Sequence, residues 1–202
     1  MKGRRRAREK ALRREVVLQA AEHVFGQHPF HEATMQMVAA EADLGMQSLY
    51  EQFPSKQALY EAVVLHRAQS FKAHLEETLE QHSDPIEQLE AMARLRARMF
   101  IEAPAYLPVY LAEVMRSNWS VRSRSSRRIG RVIRATWRLF EEVARHAVAQ
   151  NQLRDEDPGF LVHLFHESLT AALYARRNHP EEDIETCVDR ALRAFLHGTA
   201  AP

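Results

Sequence analysis

Apolar side chains recur at helical spacing through most of this chain, and this pattern constrains the fold more than any other feature of the sequence. They fall three and four residues apart from Phe160 to Leu173 and again from Ile184 to Phe195. No stretch alternates convincingly between apolar and polar residues, as a half-buried strand does. Most of the eight prolines and six glycines lie between the periodic stretches, where such residues separate helices. The sequence therefore predicts an all-α fold.

Signals for helix starts and stops divide the chain into nine predicted helices. Asp84-Pro85-Ile86-Glu87 combines an N-cap, a proline at the first helical position and an acid in the first turn. Asp157-Pro158 and His179-Pro180 repeat that signal, and Ser55 is a suitable N-cap for a long helix. The predicted helices are about Ala11–Gly26, Thr34–Ala42, Gly45–Glu51, Ser55–His82, Pro85–Glu102, Pro104–Ser117, Ser125–Gln152, Pro158–Asn178 and Pro180–His197.

Composition restricts the class of protein further. The chain has 202 residues, of which 46% are hydrophobic and 27% charged, as in an ordinary globular protein. The single cysteine, Cys187, excludes an internal disulfide and fits a reducing cytoplasm. No apolar run reaches the roughly 18 residues that a membrane span needs, and no apolar segment follows the basic start as in a secretory signal. These features predict a cytoplasmic protein that does not enter a membrane.

Positive charge is concentrated at the N-terminus. The first 14 residues contain eight basic side chains and one acid, whereas the net charge of the whole chain is only +1. A basic segment ahead of a slightly acidic body is typical of nucleic-acid-binding proteins, although a solvated, disordered tail has the same composition. The basic residues are Lys2, Arg4, Arg5, Arg6, Arg8, Lys10, Arg13 and Arg14.

The segment from Thr34 to Lys56 has the pattern of two short helices joined by a tight turn. Small Ala39 and Ala42 permit close packing between the helices. The start and outer face of the second helix carry Met46, Gln47, Ser48 and Tyr50, and a helix that presents its N-terminal residues outward is how a helix-turn-helix reads a major groove. The residues expected to form the core beneath are Val38, Leu44, Leu49 and Phe53, together with Val24 and Phe25.

This segment resembles the TetR family of transcriptional repressors. The matches are an Ala-Ala-x-x-Phe run in the first helix, an Ala-Thr pair before the second, and the run Leu49-Tyr50-x-x-Phe53-x-Ser55-Lys56. They extend over about Val17–Val63, a quarter of the chain. The departures from the family pattern, which point to an atypical operator preference, are Pro29, Asp43, Gly45, Gln47 and Gln52.

The resemblance implies a nine-helix, two-domain architecture and a repressor that binds operator DNA as a homodimer, with release by a small-molecule effector. The implied organisation is a basic arm at 1–14, a three-helix helix-turn-helix domain at 15–54, a connecting helix at 55–82, and an effector-binding and dimerisation bundle at 83–202. The operator is expected to be palindromic double-stranded DNA. Neither catalysis nor a cofactor is expected.

The predicted DNA contacts follow from side-chain chemistry within this resemblance. Gln47 can pair bidentately with adenine, and Met46 can pack on a thymine methyl group. Phosphate contacts, which position the protein, are assigned to Thr34, Ser48, Tyr50, Gln52 and Lys56. The basic arm is assigned sequence-independent attraction, with Arg4, Arg5 and Arg6 able to enter a minor groove and Arg13 and Arg14 flanking the first helix.

The last two helices have wide apolar faces, and in the resembled family such helices form the dimer interface. Burial within the monomer is the alternative for the same residues. The predicted interface residues are Leu169, Ala172, Leu173, Ile184, Val188, Ala191 and Phe195. The predicted effector pocket, for which simple core is again the alternative, contains Met92, Arg96, Met99, Phe100, Tyr110, Trp137, Phe140 and His166.

Three charged or polar patterns in this half leave alternatives open. Arg96 falls on an apolar stripe and needs a partner, either an anionic ligand or an acid on a neighbouring helix. His163 and His166 have a spacing that can share a metal ion, but no third ligand is evident, so no metal site is predicted. The eight arginines between Arg116 and Arg138, without any acid, favour a solvated face over a second phosphate-binding or acidic-partner surface.

Two other functions compete with a ligand-responsive regulator. A constitutive or protein-regulated DNA-binding protein would have the same N-terminal half and a filled C-terminal core. An all-helical enzyme is disfavoured, because the sequence has no nucleophile–base motif, no glycine-rich phosphate loop and no Cys/His metal set.

Overall fold

In a computed structural model, the chain is described at residues 2–103, 105, 106, 109, 110 and 127–199. Within these residues the structure contains eight α-helices and no strand. We number them in chain order as α1 (Lys2–Gln27), α2 (Met35–Glu41), α3 (Met46–Gln52), α4 (Lys56–Glu80), α5 (Pro85–Glu102), α6 (Arg127–Ala149), α7 (Pro158–Asn178) and α8 (Ile184–Thr199).

The helix boundaries follow local capping chemistry. Helices α5 and α7 begin at the predicted prolines, and in each case the preceding aspartate accepts backbone N–H groups of the first turn. Asp84 Oδ1 accepts from Ile86 and Glu87 at 2.9 and 3.0 Å, and Asp157 Oδ2 accepts from Phe160 at 2.8 Å. Because these oxygens satisfy backbone donors that the helix leaves unpaired, they fix where each helix begins.

Two predicted helix starts are wrong, and one predicted helix is not described. Helix α1 begins at Lys2 instead of Ala11, since the basic stretch from residue 4 onward consists of good helix formers. Helix α8 begins at Ile184 instead of Pro180, because Asp183 Oδ2 accepts from the backbone of Glu185 at 3.1 Å and takes the capping role. The predicted helix Pro104–Ser117 lies mostly outside the described residues, so eight of the nine predicted helices are found.

The chain divides into two compact units. The first comprises Met1–Ala68 and Ala103–Gly130, and the second comprises Gln69–Glu102 and Arg131–Pro202. Two of the boundaries between these residue ranges fall within the sequences of α4 and α6. No described helix is long and apolar enough to cross a membrane.

The first unit is built around α1, α2, α3 and the first half of α4. Five of the six predicted core residues of the helix-turn-helix are buried, and Leu44 is half-buried. Three aromatic rings extend this core, with the Phe25–Tyr60 and Phe30–Tyr60 centroids 5.2 and 5.1 Å apart in edge-to-face orientation. The core therefore fixes α2 and α3 against α1 and α4.

A buried ion pair joins α1 to α4 within the first unit. The Glu22 side chain is buried, and its two oxygens accept from Arg67 Nε and Nη2 at 2.5 and 2.7 Å. This fork-shaped contact raises the pKa of Arg67 through its hydrogen bond with Glu22. Although the sequence analysis did not identify this pair, Glu22 lies among the apolar residues of α1, and a charge there signals a partner.

The second unit is a bundle in which α7 and α8 pack on one another and α5 packs on α8. Its fully buried side chains include Leu89, Met92, Leu153, Leu161 and Phe165. The Phe165 ring lies between those of Phe140 and Phe195, at centroid distances of 5.9 and 5.3 Å. Aromatic packing therefore links α6, α7 and α8 at the centre of the bundle.

Candidate nucleic-acid interface and effector site

The turn between α2 and α3 has the geometry of a helix-turn-helix. Thr34 is the N-cap of α2, and its Oγ1 accepts from the Met37 N–H at 3.2 Å. Asp43, at the turn position where the family pattern has glycine, adopts a left-handed conformation with φ of 51°. Aspartate tolerates this region better than most residues, so the turn forms without the glycine.

Helix α3 presents polar residues on its outer side and anchors itself through Leu49, which is fully buried. Gln47, Ser48 and Tyr50 are exposed, and Met46 is half-buried. Gln47 Nε2 donates to Glu51 Oε1 one turn later at 3.2 Å, so its amide is held along the helix surface. The residues predicted to read bases, Met46 and Gln47, therefore occupy the first turn of a short helix whose N-cap, Gly45, has open space around it.

The other predicted phosphate contacts fall into two groups. Ser48 and Tyr50 are exposed on α3, and Tyr50 has 48% of its surface exposed. Thr34 and Gln52 make bonds within the chain: Thr34 caps α2, and Gln52 Nε2 donates to the Ser48 carbonyl at 3.5 Å. Ser48 and Tyr50 therefore have exposed side chains, whereas Thr34 and Gln52 form hydrogen bonds at the start of α2 and at the end of α3.

Lys56, at the start of α4, forms hydrogen bonds with the loop between α1 and α2. Its Nζ donates to the carbonyl oxygens of Phe30 and Ala33 at 2.6 and 2.7 Å, and it lies 4.6 Å from the centre of the Phe30 ring. The Ala33 carbonyl directly precedes the N-cap of α2. Lys56 thus ties the first turn of α4 to the start of the helix-turn-helix.

The basic N-terminal stretch belongs to α1. Arg13 and Arg14 are exposed on this helix, and the Arg14 guanidinium lies 4.5 Å above the centre of the Phe53 ring. Arg4, Arg5 and Arg6 fall within the first turns of the same helix. The stretch predicted as an arm is therefore helical in backbone conformation.

In the second unit, Arg96 is the buried charge that the sequence singled out. Only 4% of its surface is exposed. Its Nη1 lies 3.0 Å from His166 Nδ1 and donates to the His166 carbonyl at 3.1 Å, while Nη2 donates to Thr170 Oγ1 at 2.9 Å. Two residues one turn apart on α7 therefore hold the guanidinium of α5.

His166 is kept neutral by its surroundings. Burial lowers its pKa from 6.5 to about 2, with further lowering from the charges of Arg96 and His163. Because arginine can only donate hydrogen bonds, the neutral imidazole Nδ1 serves as the acceptor. The Trp137 ring lies 4.9 Å from both the His163 and the His166 rings. Arg96, His166, Thr170 and Trp137 thus form one polar–aromatic cluster, which we call the Arg96 cluster.

The other residues predicted for the pocket do not all belong to the same unit as the Arg96 cluster. Met92, Phe100 and Phe140 are buried in the second unit and Met99 is half-buried. Tyr110 belongs to the first unit, where its ring lies 6.4 Å from that of Tyr106. Thr170, a member of the Arg96 cluster, was missed because a threonine inside an apolar helix gives no distinctive sequence signal.

The seven residues predicted for the dimer interface are all buried within the single chain. Phe160 and Leu164, which share a face of α7, instead have 54% and 37% of their surfaces exposed.

The arginines of α6 lie on its exposed side, whereas Ile129 and Phe140 of the same helix are buried. The exposed arginines are Arg127, Arg128, Arg131, Arg134 and Arg138. Among the described residues, no group of three His, Cys, Asp or Glu side chains is placed to hold a metal ion.

Comparison with protein families identifies the N-terminal segment. Residues 17–63 match the family model for bacterial regulatory proteins of the tetR family, which confirms the resemblance found in the sequence. This segment contains α2, α3 and the parts of α1 and α4 that pack on them. No functionally curated protein sequence matches the chain.

Solved structures share the fold over nearly the whole chain. The transcriptional regulator FadR from Bacillus subtilis, in complex with stearoyl-CoA, has a TM-score of 0.79 at 12% identity, covering 91% of this chain and 98% of that one. The ketosteroid regulator KstR2 of Mycobacterium tuberculosis has 0.78 at 17% identity, covering 94% and 96%. SmeT, the repressor of a Stenotrophomonas maltophilia multidrug efflux pump, has 0.70 at 24% identity, covering 92% and 89%. These likenesses establish the architecture of both units.

Proposed function

We propose that this chain is a transcriptional repressor that binds palindromic operator DNA as a homodimer and leaves it when a small-molecule effector binds the C-terminal bundle. The match of residues 17–63 to the family model for bacterial regulatory proteins of the tetR family supports this proposal. The observation that carries the proposal is the helix-turn-helix itself. In it, α3 is anchored by buried Leu49 and exposes Gln47, Ser48 and Tyr50.

Sequence reading is assigned to Met46 and Gln47, at the N-terminal turn of α3. Within the chain the Gln47 amide uses only its Nε2 donor, toward Glu51. A bidentate pair with adenine redirects Nε2 to the N7 acceptor and adds Oε1 as the acceptor for the N6 amino group. Ser48 and Tyr50 supply hydroxyl groups to phosphates, which position α3 without reading sequence. Thr34 and Gln52 complete the proposed set at the ends of the two short helices. The basic residues of α1, Arg4, Arg5, Arg6, Arg13 and Arg14, supply the salt-sensitive attraction.

The effector site is assigned to the second unit, around the Arg96 cluster. A buried guanidinium beside a neutral imidazole and an indole offers polar recognition within apolar walls, the usual composition of a small-molecule site. The complex of FadR with stearoyl-CoA and the description of KstR2 as a ketosteroid transcriptional regulator support a largely apolar effector. Met92, Met99, Phe100 and Phe140, all of the second unit, are the proposed apolar lining.

The experiment that tests DNA reading is selection of binding sites from random duplex DNA by the purified protein, for wild type and Gln47→Ala in parallel. We expect a palindromic consensus for wild type and a changed base preference for Gln47→Ala. Tyr50→Phe serves as the matched control, since loss of one phosphate hydroxyl weakens binding at all sequences alike. Selection of no consensus by the wild type would contradict the proposal.

Effector response is tested next on the selected operator. Thermal shift with a panel of acyl-CoA thioesters, steroids and aromatic acids identifies compounds that bind the folded protein, because a ligand that binds only the native state raises the melting temperature. We expect at least one such compound to release the operator. If binding compounds leave operator affinity unchanged, the protein acts as a constitutive DNA-binding protein instead.

A further inference from the structure

We infer that the N-terminal end of α1 contacts DNA as a rigid basic helix that follows the phosphate backbone, with Arg6, Lys10 and Arg14 on the contacting face. This inference rests on the proposed DNA binding, and it concerns how the basic stretch is used. A flexible arm inserted into a minor groove is the alternative use of the same charges.

The first three turns of α1 extend beyond the packed part of the helix. Helix α1 is continuous over 26 residues, which corresponds to a rod of about 39 Å. Among the residues of α1 whose side chains are described, residue 6 and residues 8–14 are all exposed, and the first buried residue is Val17. Apart from the contact of Arg14 with Phe53, the described side chains of this half are therefore exposed at residues 6 and 8–13, and their surface is available for a partner.

One face of this extension continues the packed face of α1. Arg6, Lys10 and Arg14 are four residues apart and lie on one side of the helix, as the spacing of 100° per residue requires. The same side contains Val17, Ala21 and Val24, which are buried against the rest of the first unit. The basic stripe thus points to the side of α1 on which the helix-turn-helix lies.

The stripe begins at the end of α3. The Arg14 guanidinium lies 4.5 Å above the ring of Phe53, the residue that caps the C-terminus of α3. When α3 lies in a major groove, the stripe starts next to that groove's edge, where the phosphates run. Charge complementarity therefore selects the DNA backbone as the partner of the extension.

Helix dimensions exclude insertion into a minor groove. An α-helix with its side chains is about 10–12 Å across, whereas the minor groove of B-DNA is about 6 Å wide. The charges along the extension also repel one another at i, i+4 spacing, as between Arg6 and Lys10. Phosphates along the stripe relieve this repulsion, so DNA stabilises the helical form of the extension.

The decisive comparison uses two single-charge changes. Lys10 lies on the stripe, while Arg8 lies two residues away, about 200° around the helix; both are exposed. We would measure binding to random duplex DNA across a salt series for Lys10→Gln and Arg8→Gln. We expect Lys10→Gln to reduce the slope of log K against log salt by about 1, and Arg8→Gln to leave it close to the wild-type slope. Equal losses for the two variants would indicate a flexible tail and overturn the inference.

A second variant separates helical form from charge. Ala11→Pro breaks the helix between the extension and the packed part, yet proline fits the first turn of the helix that remains and leaves all charges in place. We expect several-fold weaker DNA binding with an unchanged melting temperature, and wild-type binding for the control Ala11→Ser. Wild-type binding by Ala11→Pro would contradict the inference. If the wild type selects no operator but the Lys10–Arg8 difference persists on random duplex, the proposed repressor function fails and the inference stands.

Discussion

At the scale of single residues, Lys56 shows that a motif position can have a role set by its neighbours. Its place in the family pattern predicts a phosphate contact, but its ammonium group donates to the Phe30 and Ala33 carbonyls. Hydrogen bonds to charged groups contribute about 1.5–3 kcal/mol each to stability. Lys56 can therefore support DNA binding by holding α2 in position.

We predict that Lys56→Met lowers the melting temperature and weakens operator binding without changing its salt dependence. The physical reason is that the two loop carbonyls lose their donor, so α2 and α3 lose their fixed placement. Lys56→Arg, which keeps the charge, is the control and should retain part of the stability. A salt slope reduced by about 1 in Lys56→Met, with an unchanged melting temperature, would show a direct phosphate contact instead.

The residue scale is also where sequence reasoning was most and least informative. The buried core of the helix-turn-helix and the capping roles of Asp84 and Asp157 follow from local chemistry, so they were predicted correctly. The partners of Arg96 were not predicted, because His166 and Thr170 are 70 and 74 positions away. Only the folded bundle brings them within hydrogen-bond distance.

At the scale of elements, the C-terminal end of α1 lies directly against the backbone of residue 105, and Gly26 is the residue at this contact. A Cβ atom added at Gly26 would lie 2.1 Å from the Ala105 carbonyl oxygen. The obstacle is backbone, so it cannot rotate away as a side chain could. The C-terminal end of α1 can therefore lie this close to residue 105 only because residue 26 has no side chain.

We predict that Gly26→Ala lowers the free energy of unfolding by about 1–3 kcal/mol, the usual cost of forcing extra volume into a packed contact. The same substitution at Gly198, near the end of α8, meets no atom within 4 Å. Gly198→Ala should instead add up to about 1 kcal/mol through helix propensity. Urea denaturation of both variants checks the pair, and a Gly26→Ala variant as stable as wild type would show that residue 105 can move.

Element boundaries were predicted most accurately where a single cap marked them. Asp-Pro pairs located α5 and α7, since both the N-cap and the first helical residue are encoded next to each other. The start of α8 was misplaced because Pro180 and Asp183 compete as start signals, and the aspartate side chain forms the cap. The start of α1 was misplaced because the basic stretch was interpreted as an arm from its charge, although its residues are good helix formers.

At the scale of the whole molecule, the wide apolar faces of α7 and α8 could be covered in two ways, by other helices of the same chain or by a second copy of the chain. The seven residues that the sequence assigned to a dimer interface are buried inside one chain. Periodicity shows which face of a helix is apolar but not which neighbour covers it, so this distinction could not be made from sequence. Phe160 and Leu164 remain exposed on α7, and we assign them to the contact surface of the proposed dimer.

We predict that Leu164→Glu converts the proposed dimer into a monomer and weakens operator binding, because a charge would be buried at the contact without a partner. Leu164→Met keeps the apolar surface and should behave as wild type. Sedimentation velocity measures the mass of each variant, and operator titration measures the accompanying loss of affinity. A Leu164→Glu protein with the mass and affinity of wild type would place the dimer contact elsewhere.

The length of α1 has a mechanical consequence. One end of this helix is set against Ala105 at Gly26, and the other end reaches Lys2 about 39 Å away. Because Val17, Ala21 and Val24 are buried, α1 is held from Val17 onward, and the stretch before Val17 extends about 22 Å from that point. A tilt of about 5° at Val17 displaces the tip by about 2 Å, so a small movement in the packed part becomes a larger one at the tip.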